Sequence, residues 1–284
     1  MELHVIDTGF FKLDGGAMFG VVPKSLWNKK HPADENNMCT WAMRCLLIED
    51  GDRLVLIDTG MGNKQNEKFF SYYYLQDTVT LEESLKKKGF STDDVTDVVL
   101  THLHFDHVGG AVSLDAKTGI FHPTFKNAKY WTNQEHWQWA TKPNAREKAS
   151  FLKENFMSLE ERGQLNFIGT NSWIGKGPFP WMDILFVNGH TEKQMIPIIK
   201  YQDKSIVYMA DLLPSVHHIP VPWVMAYDTR PLLTMEERSK FLPEAVAEGY
   251  YLFLEHDAHN EVCTLKEGER GIGLGSVMSL KDIV

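Results

Sequence analysis

Four short apolar runs in this chain each end in a side chain that commonly binds metal ions. The runs cover residues 98–104, 183–190, 205–211 and 250–256, and they end at His104, His190, Asp211 and His256. Their length and composition are typical of buried strands. An unpaired buried charge is costly, and functional residues gather in the loops at strand ends. The four runs therefore predict converging strand ends that carry metal ligands.

The most specific pattern is the segment His102-Leu-His104-Phe-Asp106-His107. Side chains two residues apart on an extended segment point to the same side, so His102 and His104 can bind one ion. Asp106 and His107 follow where the chain turns, and they can face a second ion nearby. Imidazole with carboxylate suits Zn²⁺ best, with iron, manganese and cobalt as alternatives. The segment predicts a site for two divalent metal ions.

The order of predicted elements indicates an α/β protein. Strands are predicted at 3–7, 17–22, 41–49 and 53–58, with a hairpin turn at 50–52. Thr-x-x-Glu patterns predict helix starts at Thr80, Thr132 and Thr234. Because strands and helices alternate, we expect a single layered domain spanning residues 1–284. It has an N-terminal extension (about 1–39) and an insertion (about 142–177) near the site, in which 146–161 is predicted to be helical.

Composition argues against several classes of function. The net charge is −9 and no cluster holds five or more basic residues, which disfavours nucleic acid as a partner. No apolar run approaches the roughly 20 residues that cross a bilayer, so no membrane association is expected. The chain starts without a secretory pattern, and its three cysteines lack metal-ligand spacing. These features predict a cytoplasmic protein with reduced thiols.

The segment 102–107 resembles the signature of the metallo-β-lactamase superfamily, and Leu56-Ile-Asp58-Thr-Gly60 resembles the strand-to-loop element that precedes it there. The resemblance implies an αββα sandwich, in which two mixed β-sheets are flanked by helices. It also implies that Asp58 hydrogen-bonds the ligand loop without touching metal. The implied ligands are His102, His104 and His190 for the first metal, Asp106, His107 and His256 for the second, and Asp211 as the bridge. His259 remains a competitor of His256.

The resemblance also implies hydrolysis. Related di-iron redox proteins usually carry Glu at the position of His104 and add a flavin domain, and this chain shows neither feature. In the implied mechanism, a metal-bridging hydroxide attacks an ester or lactone. Asp106 is the catalytic residue, which accepts a proton from the attacking water. The chain contains no Gly-x-Ser-x-Gly nucleophile motif.

The choice of substrate stays open among several classes. Motifs such as Met225-Ala-Tyr-Asp228 look like the branch with N-acyl-homoserine lactonases and methyl-parathion-type hydrolases. A lactonase of the quorum-quenching type is the first hypothesis, although Pro214 stands where well-known lactonases carry Tyr. The alternatives are an organophosphate or phosphodiester hydrolase, a glyoxalase-II-like thioesterase, and a non-enzymatic metal-binding protein.

The residues around the ligands indicate the kind of substrate. Aromatic residues are dense in the first 75 positions, and net negative charge gives little steering of anions. Both features favour a small neutral substrate with an apolar part. At most one of His217 and His218 is expected to reach it, because adjacent strand residues face opposite ways. A homodimer is left open.

Overall fold

The computed structural model describes residues 1–76, 79–269 and 271–284. The chain divides into two compact units, one comprising 1–9 with 43–171 and the other 10–42 with 172–284. The strands are β1 (Glu2–Asp14), β2 (Met38–Asp50), β3 (Arg53–Ile57), β4 (Asp97–Val99), β5 (Val112–Leu114), β6 (Phe121–Pro123), β7 (Lys129–Asn133), β8 (Leu165–Ile168), β9 (Ile174–Lys176), β10 (Met182–Val187), β11 (Gln194–Tyr201), β12 (Lys204–Tyr208), β13 (Tyr251–Phe253), β14 (Val262–Gly268) and β15 (Gly271–Met278). The α-helices are α1 (Gly15–Phe19), α2 (Lys24–Trp27), α3 (Glu67–Ser71), α4 (Leu81–Lys87), α5 (Phe105–Val108), α6 (Gln134–Thr141), α7 (Met157–Glu161) and α8 (Pro231–Ala247). Short 3₁₀ helices span Gly109–Ala111, Lys153–Asn155, Ala210–Leu212, Val216–His218 and Leu280–Asp282.

The first unit is built on a mixed sheet of order β1-β2-β3-β4-β7-β8. Strand β2 pairs antiparallel with β3, whereas β3, β4, β7 and β8 are parallel neighbours. Apolar side chains of β3 and β4 pack with those of α4 and α6 in one buried core. Parallel strands expose all their carboxyl ends at one edge of a sheet, so the loop after β3 and the ligand segment after β4 lie at the same edge.

The second unit contains a mixed sheet of order β15-β14-β13-β12-β11-β10-β9. Its strands pair antiparallel except for β12 and β13, which are parallel in the register Ile206↔Tyr251. A parallel pair needs a long crossover connection, and here it contains the 17-residue helix α8. The carboxyl ends of β12 and β13 therefore lie at one edge of this sheet. The predicted α/β class, with two mixed sheets and helices, is confirmed.

Local sequence patterns correctly indicated the positions of several strands and of one helix start. The predicted strands at 3–7, 41–49 and 53–58 lie within or overlap β1, β2 and β3. The capping box at Thr80 is confirmed, because its hydroxyl accepts from the amide of Glu83 and the Glu83 carboxylate accepts from the amide of Thr80. The domain boundaries, including the extension and the insertion, stay predictions. The segment 142–177 supplies β8 to one sheet and β9 to the other.

Two of the predicted helix starts were wrong in position. Helix α6 is capped by Asn133, whose side chain accepts from the amide of His136, so the cap is one residue after Thr132. Helix α8 begins at Pro231, three residues before Thr234. Proline is favoured in the first turn of a helix because its ring fixes φ and the missing N–H is not needed there. Thr234 and Glu237 consequently lie inside the helix.

Two other predicted elements were also wrong. The strand predicted at 17–22 is replaced by α1, because Asp14 caps that helix by accepting from the amide of Ala17 at 2.9 Å. The helix predicted at 146–161 is interrupted, and only a 3₁₀ turn and α7 form there. Asn144 accepts from the amides of Arg146 and Glu147, which turns the chain at the start of that segment.

Among the described residues, no helix combines the length and the apolar character needed to cross a membrane.

The loop after β3 touches the chain that follows the ligand segment. A Cβ added to Gly109 would lie 1.9 Å from the carbonyl oxygen of Met61, and a Cβ on Gly110 would lie 2.2 Å from that of Thr59. Both obstacles are backbone atoms, which cannot move aside as a flexible side chain can. Glycine at these two positions allows the two loops to approach closely.

We expect Gly109→Ala to lower the free energy of unfolding by about 1–3 kcal/mol or more, because the added methyl group must push two backbone segments apart. Urea unfolding of the metal-stripped protein measures the change. The matched control is Gly169→Ala, whose added Cβ meets nothing within 4 Å. Its effect should stay within about 0.5 kcal/mol. Equal stability of the two variants would contradict the close approach.

Candidate metal centre

The first unit brings four predicted ligands into one group. After β4 ends at Val99, the chain carries His102 and His104 and then turns through α5, which contains Asp106 and His107. His102 and His107 are fully buried, and their ring centroids are 3.9 Å apart. The rings of His102 and His104 are 4.5 Å apart, and Nε2 of His107 lies 3.9 Å from the Asp106 carboxylate.

Asp58 holds this group from the end of β3. Its Oδ1 accepts from the backbone amide of Thr101 at 2.8 Å. Its Oδ2 accepts from the Thr101 hydroxyl at 2.6 Å and lies 3.0 Å from Nδ1 of His107. Asp58 is fully buried and its φ is 57°, a left-handed conformation that aspartate tolerates better than most residues. The geometry matches the expectation that Asp58 hydrogen-bonds the ligand loop.

These contacts indicate which nitrogen of each ring could serve as a ligand atom. The Thr101 hydroxyl has one proton and donates it to Asp58, so it accepts from Nδ1–H of His102 at 3.1 Å. Nδ1–H of His107 donates to the Asp58 carboxylate. In the neutral form of both rings, Nε2 therefore carries the lone pair. A metal-binding histidine is usually oriented in this way by an oxygen acceptor on its other nitrogen.

Two further residues of the first unit that contact the ligand segment 102–107 were missed in the sequence. Nε2 of His104 lies 3.4 Å from Oε1 of Glu147, a buried carboxylate whose Oε2 also accepts from Trp139. The backbone amide of Leu103 donates to Nε2 of His136 at 2.8 Å. Glu147 lies in the stretch predicted as an insertion near the site. A single Glu or His carried no local signal that separates it from a surface residue.

The second unit brings together the other three predicted ligands, His190, Asp211 and His256. They follow the ends of β10, β12 and β13. Oδ2 of Asp211 lies 3.0 Å from Nε2 of His190, and its Oδ1 lies 3.2 Å from Nε2 of His256. Ala210 precedes Asp211 with φ of 40°, which is a costly conformation for a residue with a Cβ. The chain is bent at the point where the carboxylate is presented to both histidines.

The remaining nitrogens of both histidines face oxygen acceptors. Nδ1 of His256 donates to the carbonyl of Ala42 at 2.8 Å, and a carbonyl can only accept. Nδ1 of His190 faces the Asp228 carboxylate at 3.0 Å. Asp228 is fully buried, and its role was not predicted, although it lies in the motif 225–228. Both Nε2 atoms are thereby directed at the same carboxylate.

This donor set fits a divalent cation. Two ligands at zinc distances of roughly 2.0–2.2 Å in a tetrahedral arrangement lie about 3.4 Å apart, close to the separations around Asp211. Burial lowers the pKa of His190, but Asp211 and Asp228 outweigh it and raise the pKa to about 10. The surroundings therefore favour a positive charge between His190 and the carboxylates. A metal ion competes with a proton for that position.

The other histidines near these ligands have different surroundings. His218 is fully buried, with Nδ1 2.8 Å from the Ser215 hydroxyl and Nε2 2.9 Å from the Met18 carbonyl. Burial lowers its pKa to about 3, so it is a neutral structural residue. His217 is partly buried. His259 is exposed, whereas its competitor His256 lies beside Asp211.

The early aromatic residues fall into two groups. Phe11, Phe19 and Trp27 are fully buried in the second unit. In the first unit, the ring of Phe105, between His104 and Asp106, lies 4.7 Å from Tyr73 and 5.4 Å from Phe69. This second group is packed onto the ligand segment.

Sequence comparison identifies a protein family and several curated relatives. Residues 44–256 match the metallo-beta-lactamase superfamily. An N-acyl homoserine lactonase of Bacillus thuringiensis is 33% identical over 84 residues, which are 26% of this chain and 32% of that protein. A probable metallo-hydrolase of Mycobacterium tuberculosis is 34% identical over 109 residues, 33% of this chain and 35% of that protein. The alignments span about a third of these curated relatives.

Solved structures resemble the chain over nearly its whole length. A probable metal-dependent hydrolase from Staphylococcus aureus has a TM-score of 0.87 at 27% identity, covering 98% of this chain and 96% of its own. The dizinc quorum-quenching lactonase AidC, solved with a product, has a TM-score of 0.78 at 21% identity, covering 98% and 95%. Because the superfamily match covers well over half of the residues, the chain belongs to the metallo-beta-lactamase superfamily.

Proposed function

We propose that the protein is a metal-dependent hydrolase with a dinuclear centre, most simply of Zn²⁺, with Fe, Mn or Co as alternatives. The proposed ligands are His102, His104, Asp106, His107, His190, Asp211 and His256. One observation carries the proposal: in all five histidines, one ring nitrogen lies within 3.4 Å of an oxygen atom. Outer oxygen atoms in this position typically orient metal-binding imidazoles.

The chain's own residues have distinct roles in the proposed reaction. When bound, two divalent ions would polarise a carbonyl oxygen and acidify water near neutral pH. Asp106 is a buried carboxylate beside His107 and would accept the proton of the attacking water. Asp58 and Asp228 would hold the imidazoles of His107 and His190 in their binding orientation, and Glu147 lies 3.4 Å from that of His104.

We propose a small neutral lactone or ester with an apolar part as the substrate. The lactonase names of several relatives support this class. The rings of Phe69, Tyr73 and Phe105 offer an apolar surface next to Asp106. A net charge of −9 gives little attraction to anionic substrates such as phosphodiesters. Pro214, where a carbonyl-assisting Tyr stands in well-known lactonases, keeps a phosphotriester as the second candidate.

We expect kcat/KM to be at least tenfold higher for a lactone than for a phosphotriester or a glutathione thioester. The assay compares acyl-homoserine lactones and simple γ-lactones with these two substrates, using zinc-loaded protein. The matched control is His122→Ala, which removes an exposed histidine and should change no rate. A tenfold preference for the phosphotriester or the thioester overturns the lactonase assignment and leaves the metal ligands standing. Hydrolysis of none of these substrates favours a non-enzymatic metal-binding protein.

A further inference from the structure

Two consecutive residues of helix α8, Glu237 and Arg238, reach the loops that carry ligands in the second unit. Both side chains are buried, Glu237 at 4% exposure and Arg238 at 0%. They contact different loops, one before His190 and the other after Asp211. Ionic side chains at this depth are uncommon, because each must be compensated by several polar partners.

Glu237 binds the backbone that leads into His190. Its two carboxylate oxygens accept from the amides of Asn188 at 2.6 Å and Gly189 at 3.0 Å. Two adjacent amides held by one carboxylate fix the direction in which the chain enters His190. The loop also lies directly on the helix, since a Cβ on Gly189 would come 2.2 Å from the hydroxyl of Thr234.

Arg238 binds the backbone that leaves Asp211. Its Nε donates to the carbonyl of Leu212 at 2.7 Å, and its Nη1 donates to those of His218 at 3.0 Å and Trp223 at 2.9 Å. Burial lowers the pKa of Arg238 to about 10, while Asp228, Asp211 and Glu237 act in the opposite direction, so the side chain is charged at neutral pH. A planar guanidinium can serve several fixed acceptors at once, which a lysine ammonium cannot do in the same geometry.

We propose that Glu237 and Arg238 are positioning residues that hold His190 and Asp211 in metal-binding geometry before any ion arrives. The inference rests on the proposed metal centre. Glu237 fixes the entry to one ligand and Arg238 fixes the exit from the other, so a single rigid helix sets their separation. Ligands prepared in this way bind a metal with less reorganisation, and loss of an outer partner typically weakens binding 10–100-fold.

Cobalt titration of the metal-stripped full-length protein, followed by its visible absorption, tests the proposal. Glu237→Gln places an NH₂ group against one of the two backbone amides. Arg238→Lys keeps the positive charge but removes the planar guanidinium group with its several N–H donors. Each variant should bind cobalt about 10–100-fold more weakly than the parent. The matched control is Glu236→Gln, the exposed neighbour on the same helix, which should stay within about twofold.

Hydrogen exchange of the metal-stripped proteins separates positioning from general anchoring of the helix. In Glu237→Gln, exchange should quicken at the amides of 188–190 and not in 212–223, and Arg238→Lys should give the reverse. Parent-like cobalt affinity in both variants overturns the inference, as does uniform loosening of the whole second unit. If the parent itself binds no cobalt, the proposed metal centre fails. Parent binding with unaffected variants overturns only the role of Glu237 and Arg238.

Discussion

Replacing Asp106 with asparagine is expected to lower kcat by roughly 10²–10⁴-fold, the range that a positioned acid or base contributes. The substitution keeps the shape of the side chain but removes the charge that would bind a metal and accept a proton. The free energy of unfolding should change by less than about 1 kcal/mol, since one buried carboxylate is replaced by an amide of the same size. Catalysis therefore falls while the fold persists.

Steady-state kinetics of the zinc-loaded Asp106→Asn variant and thermal unfolding of its metal-stripped form measure the two effects. The matched control is Asp203→Asn, which makes the same chemical change in the exposed turn between β11 and β12. The control should match the parent in both measurements. An unchanged kcat in Asp106→Asn would show that Asp106 is neither a ligand nor a proton acceptor.

Replacing Asp211 with asparagine is expected to lower kcat/KM by roughly 10³-fold or more, beyond the 10–100-fold typical of losing an outer partner. Asp211 presents one oxygen to His190 and the other to His256. An asparagine presents an NH₂ group on one side, which donates hydrogen bonds and cannot bind a cation. The negative charge between the two histidines is lost as well. We therefore expect metal binding to fail together with activity.

Elemental analysis of protein purified without chelators provides the second measurement. The parent should contain about two ions per chain and Asp211→Asn fewer than one. Asp228→Asn is the graded comparison, because Asp228 faces the nitrogen of His190 that points away from Asp211, and its loss should cost about 10–100-fold. If Asp211→Asn retained two ions and parental activity, Asp211 could not be the bridge.

Local chemistry explains why the candidate ligand residues and the strands that precede them could be identified in the sequence. The segment 102–107 contains four of the seven proposed ligands within six residues. The other three end apolar runs whose strand character follows from composition alone. The capping box at Thr80 is also local, since both partners lie within one helical turn. Such signals depend on neighbours a few residues away, and the sequence displays those neighbours directly.

The same reasoning misplaced features that long-range packing decides. Thr234 and Glu237 have the spacing of a capping box, yet Pro231 begins the helix earlier and Glu237 binds the amides of Asn188 and Gly189 instead. Thr234 and Glu237 do have the spacing of a capping box, but the hydrogen-bond partners of Glu237 are about 50 residues away in sequence.

By itself, the sequence determined the α/β class, the ligand-type residues and the strands that they follow. Only the tertiary structure decided which groups orient those ligands. His190 is oriented by Asp228, 38 residues away, and the amide of Leu103 is held by His136, 33 residues away. Whether a side chain can bind metal follows from its own chemistry. Which oxygen fixes its tautomer depends on chain segments that are far apart in sequence and meet only in the folded unit, and no local periodicity indicates that contact.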